Sequence, residues 1–187
     1  TITGGACDIS ESGKAQSCPR CLEDDCDFFN IVPVTLNEEG DNWFCSGGFY
    51  TANGFCGSPC ESDLWLVSNA LLYDNATTAS LVFDATEDFD GSSLVVYYST
   101  DYNGFNRGAD VEAATWIEIQ TLTESTPMVQ VDLTFEDEPI YIAIQYVADG
   151  ATGSTSAWQV SNIAIDADDC SNTSICTISD ITYTEGA

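Results

Sequence analysis

Between Met128 and Val147 the chain carries two side-chain patterns that only β-structure accommodates. In Val129-Gln130-Val131-Asp132-Leu133-Thr134-Phe135 apolar and polar residues alternate. Because successive side chains of a strand point to opposite faces, this segment predicts one buried and one wetted face. In the next segment Ile140, Ile142, Ile144 and Tyr146 alternate with Tyr141, Ala143, Gln145 and Val147, apolar on both sides, which predicts a central strand. Strands are expected over Ala79–Ala85, Ser93–Ser99, Thr115–Gln120, Met128–Phe135, Pro139–Val147 and Ala157–Ile165, all enriched in β-branched and aromatic residues. No segment has helical periodicity, and no internal repeat occurs at a fixed period. Short strands punctuated by Gly, Asn and Asp are the mark of an all-β sandwich.

The 187 residues, 44% of them hydrophobic, suffice for one domain with one sizeable core. Residues 1–48 are rich in Gly, Ser, Asp and Cys and read as loops with a single strand, Phe28 to Val34, which Pro33 confines to a sheet edge or ends. Only Lys14, Arg20 and Arg107 oppose 31 acidic residues. A formal charge of -28 repels phosphate backbones and anionic lipid heads, so nucleic acid and membrane insertion are excluded as partners. Salt or divalent cations would screen the self-repulsion. No apolar run approaches the roughly 20 residues that span a bilayer. The N-terminus has no basic-then-apolar leader pattern, so the chain is expected to be a mature form.

Nine cysteines point to an oxidising compartment, and hence to a secreted or cell-surface protein. They form three groups: Cys7, Cys18, Cys21 and Cys26; Cys45, Cys56 and Cys60; Cys170 and Cys176. Disulfides are expected of all three, with Cys170 and Cys176 close enough in sequence for a local bridge; the other pairings stay open. An odd count leaves one free thiol or one bridge to another chain. The competing reading of Cys18-Pro19-Arg20-Cys21 with the neighbouring cysteines is a tetrahedral zinc site, weakened by the absence of histidine and by a second pair spaced by three residues rather than two.

From Phe49 to Asp166 the order of Asp63-Leu64-Trp65-Leu66-Val67-Ser68, Ser80-Leu81-Val82-Phe83-Asp84, Leu94-Val95-Val96-Tyr97-Tyr98-Ser99-Thr100-Asp101, Ala114-Thr115-Trp116 and Trp158-Gln159-Val160-Ser161-Asn162-Ile163 resembles the cleaved-adhesin or "choice-of-anchor J" family, a MAM-like extracellular module. The resemblance implies an antiparallel jelly-roll β-sandwich over residues 49–166, preceded by the cysteine-rich segment 1–48 and followed by a disulfide loop and terminal strand over 167–187. It also implies that Trp65 and Trp158 pack in the core. The family often holds a structural calcium, whose ligand positions match Asp27, Asp63 and the Ser161-Asn162 step; this chain has Ser161 where the family pattern has Asp.

Ligand contacts are expected from aromatic and polar residues in loop-like or strand-end contexts: Trp43, Tyr50, Tyr73 and the connection Tyr102-Asn103-Gly104-Phe105-Asn106-Arg107-Gly108, which has the composition of a binding loop. Without histidine and with one lysine, the chain lacks the usual triads, imidazole bases and Schiff-base chemistry. The expectation is therefore a non-catalytic, adhesin-like module for glycan or protein ligands. One alternative is a filament or sheath subunit that donates Ile178 to Thr184 to a neighbour's sheet. The other is a glycosidase built on two carboxylates.

Overall fold

The computed structural model describes residues 22–23, 26, 28–36, 42–72, 79–133, 139–150, 155–167 and 176–178. Eight strands build the sandwich: β4 (Phe49–Asn53), β5 (Ser62–Ser68), β7 (Ala79–Asp88), β8 (Leu94–Ser99), β9 (Ile117–Leu122), β10 (Thr126–Leu133), β11 (Tyr141–Ala148) and β12 (Ala157–Ala167). They pair as nested antiparallel partners, β8 with β9, β7 with β10, β5 with β11 and β4 with β12. A chain folded back on itself four times and then rolled into two sheets is a jelly roll. The expected all-β antiparallel jelly-roll sandwich is what the chain forms.

One sheet runs β10-β7-β12-β4-β3, where β3 is Phe44–Ser46, with β1 (Leu22–Glu23) alongside β12. The other runs β2-β5-β11-β8-β9, where β2 is Phe29–Thr35. β2 lies at an edge, as Pro33 requires, and its pairing with β5 shifts register between Pro33 and Thr35. β11 is central, as its two apolar faces predict. Strands drawn from the first 48 residues thus complete both sheets. The expected strands are present with small shifts at their ends, and residues 134–135 of the expected Met128–Phe135 strand lie outside the described residues. Three further pairings shift register in ways that the alternation does not reveal: at Met128 and at Asn162, both at positive φ, and between β8 and β9 at Val96 and Tyr97. In addition a short helix, α1 (Gly108–Ala113), forms where no helix was expected. Six residues are too few for a helical hydrophobic period to show in sequence.

The inter-sheet core contains Leu64, Leu66, Leu81, Phe83, Leu94, Val96, Ile142, Ile144, Tyr146, Trp158 and Val160, all fully buried. Trp158 is anchored by its indole N–H, which donates to the Ser92 carbonyl at 2.7 Å. The Tyr146 hydroxyl donates to the Ser156 carbonyl at 2.7 Å. Cys26 is bonded to Cys45 and Cys56 to Cys60, so these four thiols are not available as zinc ligands. Cys7, Cys18, Cys21 and Cys170 lie outside the described residues. β13 (Cys176–Ile178) pairs with β6 (Ala70–Leu72) of the same chain, while residues 179–184 of the expected donor strand lie outside the described residues.

Phe83 is the test of this core. Truncation by Phe83→Ala removes a fully buried ring and leaves a cavity between the sheets, so denaturant unfolding should show a loss of about 3–5 kcal/mol. A loss below about 1 kcal/mol would mean that the sheets do not pack through this side chain.

Candidate functional site

Each sheet has an outward face as well as a core face, and in the β2-β5-β11-β8-β9 sheet that outward face is aromatic. Leu64 and Leu66 of β5 point into the core, so Asp63, Trp65 and Val67 point out. Trp65 stacks on Tyr97 of β8, with centroids 5.4 Å apart and planes at 27°. Trp116 leans on Trp65 at 5.3 Å and on Tyr102 at 5.4 Å. Tyr102 in turn meets Tyr141 of β11 edge-on at 5.1 Å. Trp65 is therefore buried, but in this second cluster and not between the sheets, where Trp158 lies.

The connection from Asp101 to Trp116 is drawn over this face as a strap. Asp101 fastens its two ends, accepting from Thr115 N–H at 2.8 Å and from the Ser99 hydroxyl at 2.9 Å. These hydrogen bonds, that from Thr115 first, hold the Asp101 carboxyl below its usual value. Gly104, at φ +77°, lies against the Tyr141 ring, where a Cβ would stand 3.0 Å from the hydroxyl. At Gly108 a Cβ would come within 2.7 Å of the Pro33 carbonyl, so only glycine lets α1 settle on the edge strand β2. The Trp116 indole donates to the Val111 carbonyl at 2.9 Å. Burial pushes the Tyr102 phenol up to about 12, so it stays protonated, donating to Asn106 Oδ1 and accepting from Asn106 N–H.

The crest of the strap and the strip of sheet beside it remain accessible. Phe105 is 62% exposed, and the Arg107 guanidinium sits over its ring at 5.2 Å. Arg107 also pairs with Asp110, whose carboxyl is held below the usual range by Arg107 and by Asn103, which donates its amide at 2.7 Å. On the strip, Asp63 Oδ1 accepts from the Trp65 indole N–H and from Gln145 Nε2, each at 2.8 Å. Gln145 Oε1 accepts from the Tyr97 hydroxyl at 3.1 Å. Burial, then the charges of Glu118 and Asp63, push the Tyr97 phenol up. Half-buried Trp116, Tyr97 and Tyr141 with Gln145 and Asp63 thus combine flat apolar rings with oriented donors and acceptors.

The expected contact residues separate accordingly. Asn103, Phe105 and Arg107 come together on the crest, and Tyr102 lies beneath them as support, 4% exposed. Trp43 and Tyr50 are corrections. Trp43 is 3% exposed in the inter-sheet core, and Tyr50 is fully buried there, its hydroxyl bonded to both the N–H and the carbonyl of Phe29. The reason is the β3–β4 hairpin, which turns a loop-like stretch into strand and points Tyr50 inward. Tyr73 and Asp27 lie outside the described residues. Asp63 and Asn162, expected as calcium ligands, sit on the outward faces of opposite sheets, and the Asn162 amide donates to Asp84 at 2.6 Å. Among the described residues no group of three Cys, Asp or Glu side chains is placed to hold a metal ion. The residues missed in sequence are Tyr97, Gln145 and Tyr141; alternation set each opposite its core-facing neighbours, but only register brings Gln145 beside Trp65 and Tyr97 beside Ala143, the partner of Val67.

The nested pairing, the two faces and the strap define a jelly-roll sandwich domain with one face covered and a decorated crest. Residues 71–184 match the family described as a domain of unknown function, DUF5017, and the chain belongs to that family. No curated protein matches it. Among solved structures it is similar to family 29 carbohydrate-binding modules. A variant in complex with mannohexaose is 20% identical over 74% of this chain and 92% of the other, with a TM-score of 0.38. A variant in complex with cellulohexaose is 19% identical over 75% and 92%, with a TM-score of 0.37. A further family 29 module is 19% identical over 74% and 88%, also at 0.37.

The strap gives a pH test. Asp101 has a depressed folded-state pKa, so its contribution is present above the usual carboxylate value of 3.8 and is lost as pH falls through the lower folded value. On acidification the Thr115 amide resonance should move with an apparent pKa below 3.8, and Asp101→Asn should abolish that titration. A Thr115 amide that titrates at or above 3.8 would remove Asp101 as the fastener.

Proposed function

We propose that this chain is a non-catalytic, extracellular glycan-binding module of the adhesin type, and that the strap crest and the adjoining strip are its binding surface. The observation that carries the reading is one outward face that holds half-buried Trp116, Tyr97 and Tyr141 with the Asp63–Gln145–Tyr97 hydrogen-bond row, under a strap whose crest exposes Phe105. A sugar ring offers an apolar C–H face and a rim of hydroxyls, which such a surface can stack and hydrogen-bond. The strap is tied at both ends, so little ordering entropy is spent on binding.

The two carboxylates of the strap are not set up as proton donors. Glycoside hydrolysis needs a carboxylic acid whose pKa is raised so that it can donate a proton. Asp101 and Asp110 are instead held down by the hydrogen bonds they accept. The two disulfides support an oxidising, extracellular setting. The sequence resemblance to cleaved-adhesin domains points to the same use of the sandwich.

A glycan array followed by titration of the hits tests the proposal. Phe105→Ala and Gln145→Ala should each weaken binding about tenfold, the equivalent of roughly 1.4 kcal/mol. Phe105→Ala should leave thermal stability unchanged, because its ring is exposed. A chain that recognises no glycan, or whose Phe105→Ala variant binds as the parent does, would overturn the assignment.

A further inference from the structure

On the opposite side of the sandwich the described residues include a run of outward positions without charge. Tyr50 and Ala52 of β4 point into the core, so Phe49, Thr51 and Asn53 point outward. The pairings set Phe44 beside Thr51, Thr51 beside Gln159, and Gln159 beside Thr86. Paired residues of neighbouring strands share a face, so Phe44, Thr51, Gln159 and Thr86 form one row across β3, β4, β12 and β7. The next row is Ser46, Phe49 and Ser161, ending at Asp84. Phe44 is 65% exposed and Phe49 45%. Gly47 and Gly48, at φ +61° and +79°, make the tight turn that places these two rings on the same side of the hairpin.

We propose that this open face is a second glycan-binding surface, for an uncharged polysaccharide chain laid across the strands. Charge is the first argument. In a chain with 31 acidic residues, seven neighbouring outward positions carry none, and Asp84, at the end of the second row, is engaged by the Asn162 amide and the Met128 N–H. A polyanion would be repelled by the surrounding carboxylates, and a polycation would find in the rows only Asp84, at their end and already accepting two hydrogen bonds. Shape is the second argument. Three strand spacings span about 15 Å, room for a short run of sugar rings. The rings of Phe44 and Phe49 meet one end of that run, while the hydroxyls of Thr51 and Thr86 and the Gln159 amide serve its rim. The inference rests on the glycan-binding reading but uses none of the strap residues. Because the two surfaces lie on opposite faces of the sandwich, one molecule would hold two polysaccharide chains at once.

The test uses the full chain with the neutral glycans that hit on the array, in parallel with acidic ones, at low and high salt. Two binding events per molecule are expected, and neither should weaken with salt. Phe44→Ala and Gln159→Ala should each weaken one event about tenfold and spare the one that Phe105→Ala removes. Long neutral polysaccharide should be cross-linked by the parent but not by Phe44→Ala. A single event that Phe105→Ala removes and Phe44→Ala leaves intact would overturn the second surface while the strap site stands. Sheet-face binding confined to acidic glycans would also overturn it. Recognition of no glycan would remove both.

Discussion

The structure depends on four nested strand pairings, of which the outermost joins β4 to β12 and sets Phe49 beside Ser161, more than a hundred residues away. Long-range pairing of this kind is held by the core it closes. Tyr146, Phe83 and Trp158 come from separate strands, and each is fully buried only when both sheets are in place. Contacts of this range are costly in loop closure and form late, so no part of the sandwich has a core of its own. Once the core faces are fixed, the period of two along a strand fixes the outer faces as well.

The two outer faces are treated differently. The β2-β5-β11-β8-β9 sheet covers its own with the Asp101 to Trp116 strap, and the burial of Trp65, Tyr102 and Val111 makes a second, smaller apolar cluster beneath it. The strap needs glycine at two close approaches and a carboxylate to bind its ends. What remains exposed is a short crest with Phe105 and Arg107. Of the three basic residues, Arg107 alone falls among the described residues, and Asp110 takes up its charge. On the other sheet Phe44 and Phe49 are exposed beside the uncharged side chains of Ser46, Thr51 and Gln159.

Charge sets the conditions under which these faces work. A net charge of -28 gives long-range repulsion toward anions and toward other copies of the chain, and salt shortens its reach. The carboxylates at the two described faces are largely occupied with structural hydrogen bonds: Asp63 holds Trp65 and Gln145, Asp101 the strap ends, Asp84 the two bulged strands. Negative charge is thus used here as an acceptor for backbone and side-chain donors.

The sequence by itself determined β2 and the strands from β7 to β12, the central place of β11, the edge place of β2 and the use of cysteine in disulfides, because alternation, proline and composition act locally; the β3–β4 hairpin was not legible in it. It also marked Asn103, Phe105 and Arg107 as a loop with aromatic and polar content. Only the tertiary structure decided which face each aromatic residue joins. Trp65 and Trp158 have similar strand contexts, yet one lies in the outer cluster and the other between the sheets. Trp43 and Tyr50 have loop-like contexts and are core. A strand pattern states that neighbours point to opposite sides, but which side becomes the interior is set by the partner sheet. Likewise the row of Phe44, Thr51, Gln159 and Thr86 exists only through register, which joins residues with no local relation in the chain.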